Sequence, residues 1–139
     1  MLPEINDLMV LLAAVAAFAV GGIWYSPPFF GPAWMRANGY TPHKMIEMRV
    51  AKPQARSMAI TFVSQFVMAV VLAYLMRWIG ITGVKPGILF GLLIWVGFAG
   101  TVALISNVFS DKPFRVFIIE SGYQLVSITL MAAIIGGWR

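Results

Sequence analysis

Long apolar stretches alternate with short polar ones along this chain. Four windows, 8–35, 57–76, 86–110 and 121–138, contain no Asp, Glu, Lys or Arg. At ~1.5 Å per helical residue, each of them, alone or with its flank, crosses a hydrocarbon core of about 30 Å. The pattern predicts an all-α polytopic membrane protein, one integral membrane domain over 1–139. Its four transmembrane helices fall at about 7–25, 55–79, 86–110 and 114–138. Local signals mark their ends. Asn6 or Asp7 caps the first helix, and Ser26, Pro27 and Pro28 stop it. Pro86 suits the first turn of the third, and Arg77 snorkels at the edge of the second. The second and third connections are so short that the helices they join are expected to pack antiparallel. No repeat of 20–50 residues is evident.

Composition agrees. The chain is 60% hydrophobic and 11% charged, against ~25% charged in an average soluble domain. Without cysteine there are no disulfides, thiolate metal sites or Cys nucleophiles, and the single His43 leaves little for zinc or haem. No cofactor is expected. The net charge of +5 does not point to nucleic acid, because the basic residues crowd into the connections, as the positive-inside rule describes. Ala14, Ala16, Ala17 and Ala19 imitate a signal-peptide cleavage site. Glu4 and Asp7 precede them with no Lys or Arg, however, so this reads as a retained span.

Charge also orients the chain. Arg36, Lys44, Arg49, Lys52, Arg56, Lys112 and Arg115 fall at one end of the bundle, and Arg77, Lys85 and Arg139 at the other. That bias predicts a cytoplasmic first connection and both termini outside, in the cell inner (plasma) membrane. The five basic residues of the first connection, Arg36, Lys44, Arg49, Lys52 and Arg56, are candidates for lipid-headgroup contacts.

The first connection, 26–54, is far longer than the others. Its first part, 27–35, is apolar yet rich in proline and glycine, and is expected to form no regular helix. Such backbone cannot face lipid unpaired, so an interfacial or re-entrant segment is predicted. Trp24, Tyr25 and Trp34 suit that depth. The segment reads either as an interfacial anchor or as a lid over a binding site. Thr41-Pro42 then looks like the cap and first turn of a short helix ending at Pro53.

Trp24-Tyr25-Ser26-Pro27, Phe30-Gly31 and Trp34-Met35 recur with Gly122-Tyr123, Leu125-Val126, Met131, Ala133-Ile134 and Gly136-x-Trp138. In these elements the chain resembles a family of small bacterial four-helix membrane proteins, domain of unknown function seventeen sixty-one. The resemblance spans the whole chain and implies a membrane location and this helix count. It brings no reaction, ligand or site assignment. The interfacial signature is Trp24, Tyr25, Ser26, Pro27, Phe30, Gly31 and Trp34.

Glu120 is the residue that most invites a function. It lies six residues past Phe114, ~9 Å into the last helix. Even a lenient insertion scale sets an acidic residue at a helix centre at ~2.5–3.5 kcal/mol. Gln124 and Ser127 share its face, and Ser57, Thr61, Ser64 and Gln65 form a stripe on the second helix at similar depth. With Asn107 from the third helix, the candidate ligand or ion pathway is Glu120, Gln124, Ser127, Gln65 and Asn107. The same residues also fit plain interhelical hydrogen bonding.

No enzyme constellation is found: Ser26 and His43 share a side, but Glu47 is not placed to complete a triad. The reading is a non-enzymatic, homo-oligomeric binding or permeation unit for a small solute or ion around Glu120. Its alternative is an accessory or scaffold subunit of a larger membrane complex. Membrane lipids are the other expected partners.

Overall fold

The computed structural model describes residues 2–41, 43, 44, 47 and 54–138. It is all-helical: α1 (Asp7–Trp24), α2 (Gly31–Ala37), α3 (Gln54–Ile79), α4 (Val84–Phe109) and α5 (Phe114–Gly137). All but α2 are long and apolar enough to cross a membrane, and they alternate in direction. The least apolar of the four, α5 at a mean hydropathy of 1.6, is also the most buried, with 44% of its span enclosed against 17–22% for the others. It is the hub. α5 packs along α4 on one side and α1 on the other, and α3 joins mainly through α1.

Small side chains bring these axes together, as in most membrane bundles. Ala13, Ala14 and Ala17 of α1, Ala69 and Ala73 of α3 and Ala132 of α5 are buried, with Met76 and Met131 filling the gaps between them. Gly87 and Gly91 press α4 onto α5. A Cβ at Gly87 would collide with the Ala132 carbonyl, and one at Gly91 would lie 2.9 Å from Thr129 Cα. The far end is tied by Asn6, whose side chain accepts from Met9 N–H (3.3 Å) and donates to Trp138 O (3.2 Å).

Four features depart from the sequence reading. First, α3 and α4 run antiparallel without packing on each other, although only a short turn joins them. Gly83, at φ +106°, donates its N–H to Gly136 O (2.7 Å), which steers α4 onto α5 instead. Second, α4 begins at Val84, so Pro86 stands third in the helix, still within the turn whose N–H groups need no intrahelical acceptor. Third, α4 contains a π turn, Trp95–Ala99. Fourth, part of the irregular segment is helical after all: Gly31 and Pro32 open α2, where a missing N–H costs nothing. Thr41 does cap a following turn, accepting from Lys44 N–H (3.2 Å). The remainder of the expected helix to Pro53, with Arg49 and Lys52, lies outside the described residues.

α3 is packed from Phe62 onward, where Phe62 meets Phe18 and Gln65 is buried. From Ala69 to Met76 it buries a face, whereas its first two turns stand away from the other helices. The bundle is therefore tight at one end and open at the other. The open end is the one with the basic connections.

Gly87→Val should destabilise by about 1–3 kcal/mol, because the side chain must push α4 off α5. A Cβ added at Gly97 would meet nothing within 4 Å, and Gly97→Ala should be neutral or stabilise by up to ~1 kcal/mol. Thermal unfolding in lipid nanodiscs separates the two.

Candidate functional site

The opening between α3 and α5 is a cavity of about 820 Å³. Its floor is polar. Tyr123 of α5 lies across α1, donating its hydroxyl proton to Ala17 O (3.2 Å) and accepting from Gln65 Nε2 of α3 (2.5 Å). Gly21 makes room, since a Cβ there would come within 2.8 Å of the phenol oxygen. One hydroxyl thus joins three helices. Among the described residues Gln65 Oε1 and Gln124 Oε1 are buried with no partner, and so is Ser127 Oγ one turn deeper.

Glu120 forms the wall nearer the basic end. Its Oε1 accepts from Trp34 Nε1 of α2 at 3.1 Å. The segment that leads there is compact. Ser26 O accepts from the N–H groups of Phe29 (3.0 Å) and Gly31 (3.2 Å), and Phe30 N–H donates to Trp24 O (2.9 Å). Gly31 is required, because a Cβ would collide with the Tyr25 carbonyl. This turn folds α2 back toward α5, where Tyr25 and Trp34 line the cavity.

An aromatic file runs outward from the floor. Tyr25 meets Tyr123 (5.7 Å between centroids) and Trp34 (5.8 Å) edge to face, Trp34 meets Tyr40 (5.6 Å), and Lys44 Nζ stands 5.5 Å from the Tyr40 ring. Burial, then the charge of Glu120, then Tyr123 push the Tyr25 phenol above its ordinary pKa range. It stays a neutral hydroxyl at any physiological pH.

Two more indoles hold α5 beside Glu120. Trp24 Nε1 of α1 donates to Ile119 O (3.0 Å), and Trp95 Nε1 of α4 donates to Ser121 O (2.9 Å). Gly122 admits the Trp24 ring, which a Cβ would approach to 3.2 Å. Three consecutive residues of α5 thus accept from three tryptophans on three elements.

Among the sequence candidates, Glu120, Gln124 and Gln65 line one cavity, together with Ser57, Thr61 and Ser64. Ser127 shares their face of α5 but lies below it, fully buried. Asn107 does not take part: its side chain donates to Pro113 O (3.2 Å) and fixes the α4–α5 turn. Of the interfacial signature, Trp24, Tyr25 and Trp34 turn inward, while Pro27 and Phe30 are exposed and Phe30 stacks on Trp24 (4.5 Å). Arg36, Lys44 and Arg56 are exposed at the open end. Contrary to expectation, His43 and Glu47 do meet, 3.0 Å apart on the exposed surface, one turn of helix separating them. Ser26 stays apart from them, its hydroxyl donating to Ile23 O (2.6 Å). Tyr123 is the residue the reading missed as a site member. Glu120, Tyr123, Gln124 and Ser127 follow i, i+3, i+4, i+7, so its place on the stripe was available.

The signature residues from the two ends of the chain meet here: Trp24 on Gly122, Tyr25 on Tyr123. A family model described as "Protein of unknown function (DUF1761)" matches residues 8–136. The chain belongs to this family. No curated protein and no solved structure matches it. DUF1761 thus supplies membership without an activity, and the cavity must be read from its own chemistry.

Tyr123→Phe should cost about 1–2 kcal/mol, since it strands the Gln65 amide and removes the second bond to the Ala17 carbonyl. Adding Gln65→Leu should recover most of that loss, because an apolar pair leaves no orphan on α3. Unfolding of the four proteins of this cycle in nanodiscs measures the coupling.

Proposed function

We propose that this protein is a membrane-embedded binding unit for a small solute, with the Glu120 cavity as its site and α2 as its cover. The observation that carries the reading is the cavity itself. Interhelical hydrogen bonding accounts for the Tyr123, Gln65 and Ala17 contacts. It does not account for about 820 Å³ of open space beside an acidic side chain and two buried, unpartnered glutamine oxygens. Small-molecule sites run from about 300 to 1,000 Å³.

Permeation is a narrower form of the same proposal. Below Tyr123 the chain closes into the Ala13, Ala69, Met76 and Met131 core, so a continuous path needs a second copy, and a homo-oligomer is part of that form. An accessory role draws its support from α4, whose outer face of Leu89, Leu93, Phe98 and Ile105 is exposed. By the positive-inside rule the open end faces the cytoplasm across the plasma membrane, with Arg36 and Arg56 at the headgroups and the termini on the other side.

Binding is tested with a short-chain dansyl amide, a neutral fluorophore that brightens in apolar surroundings, in phosphatidylcholine nanodiscs. Saturable binding that weakens at least tenfold in Ser64→Trp, which fills the cavity, is expected. Non-saturable partitioning, identical in both proteins, would overturn the reading. Orientation is tested separately with single cysteines, since the native chain has none. Cysteine at Ala37 should be shielded from an impermeant maleimide in intact cells and cysteine at Leu2 should react; the reverse pattern would invert the topology.

A further inference from the structure

We infer that the Glu120 cavity selects a protonated amphipathic amine, its ammonium head against Glu120 and its apolar tail along α3. The inference rests on the binding role proposed above and names the class of solute.

Charge comes first. Glu120 is the one acidic side chain in the lining, and no Lys, Arg or His lines the cavity among the described residues. In a lipid-surrounded site of low dielectric, one such charge dominates the field. It repels anions and attracts a monovalent cation. A hard divalent metal is a poor match, since Ca²⁺ takes six to eight oxygen ligands and Mg²⁺ a near-ideal octahedron. No group of three His, Asp or Glu side chains is placed to hold a metal among the described residues.

Hydrogen-bond polarity narrows the cation. Gln65 Oε1 and Gln124 Oε1 are acceptors with no partner among the described residues, but both are buried away from the open space. The acceptor that the lining offers a ligand is the Glu120 carboxylate, which calls for a ligand that brings N–H donors. An ammonium head has up to three, whereas a quaternary head has none. Trp34 Nε1 already occupies one Glu120 oxygen, but an indole donor is neutral and leaves the charge uncompensated. Aromatic walls suit the same head. Tyr25, Trp34 and Tyr123 line the cavity, and a cation near such rings gains from their quadrupoles.

The tail follows from the remaining lining. Met58, Ile60 and Met68 of α3 and Phe18 of α1 give the other wall apolar surface, and the Thr61 and Ser64 hydroxyls beside them are turned to Ser57 O and Ile60 O of their own helix. Because the start of α3 stands off from the bundle, that wall leads toward the lipid-facing surface. A molecule with a cationic head and a hydrocarbon body matches both halves.

Three dansyl alkyl probes of equal chain length test this in phosphatidylcholine nanodiscs, ending in a primary amine, a neutral amide or a sulfonate. The chain's net charge of +5 and the basic residues at the open end favour the sulfonate at the surface. A preference for the amine therefore isolates the cavity. The amine should bind at least tenfold tighter than the amide and the sulfonate. Glu120→Gln should remove that preference, lowering the amine's affinity at least tenfold. Saturable amide binding without a tenfold amine preference overturns the cation inference and leaves the binding role standing. Saturable binding by none of the three overturns both. An amine affinity unchanged in Glu120→Gln also overturns the inference. Should that variant fail to fold, the wild-type ratio of amine to sulfonate decides alone, with less than tenfold counting against.

Discussion

Three indole N–H groups converge on consecutive residues of one helix, and the rest of the architecture depends on that convergence. A buried N–H in hydrocarbon has no water to fall back on, so each tryptophan must find an acceptor inside the protein. Carbonyl oxygens at Ile119 and Ser121 have a second lone pair beyond their helical bond, and the Glu120 side chain stands between them. Trp24, Trp34 and Trp95 arrive from α1, α2 and α4. Each bond sets the position of its own element against α5. Move one indole and a wall of the cavity moves with it. The π turn of α4 fits the same account: Trp95 opens it, and Gly100 lies against the Trp95 ring, where a Cβ would come to 3.1 Å.

The molecule divides into two regimes across its thickness. At one end alanines, glycines and methionines let the helices touch, and the Asn6 side chain ties α1 to Trp138 O. At the other, α3 leaves the bundle and polar groups face space. Membrane proteins gain little from apolar contact between helices, because lipid tails offer the same contact. Close packing at one end therefore has to supply the stability that lets the other end remain open. Tyr123 sits at the boundary, bonded to α1 and α3 through one hydroxyl.

How much of this was legible in the sequence differs by element. The membrane class and four helices follow from charge-free windows, because the cost of a charge in lipid is large and local. The polar stripes were legible for a similar reason: Gln65, Gln124 and Glu120 are conspicuous against an apolar background. Asn107 was conspicuous too and turned out to serve a turn, since depth along a helix does not say which neighbour a side chain meets. What could not be read was lateral order. Connections of a few residues dictate direction, but the pairing of α4 with α5 rather than α3 depends on a backbone bond from Gly83 to Gly136 that composition does not reveal. The two helical turns of α2 were hidden by prolines and glycines whose positions, at its start, turn out to favour a helix. Trp24 and Trp34 read as interfacial aromatics; their indole bonds to α5 became visible only with the fold.

The hub of this bundle leaves the ribosome after every helix that it holds. Until Phe114–Gly137 is synthesised, Trp24, Trp34 and Trp95 have no acceptors on α5, and Ala13 and Ala17 have no helix to meet but α3. The first four elements must therefore wait in the membrane as a loose set. Contacts such as Tyr123 with Ala17, 106 residues apart, close only once α5 has been made. Assembly of this fold is thus a late event of translation, and a nascent chain stalled before α5 has α1 packed on α3 but lacks the helix that completes the core and walls the cavity.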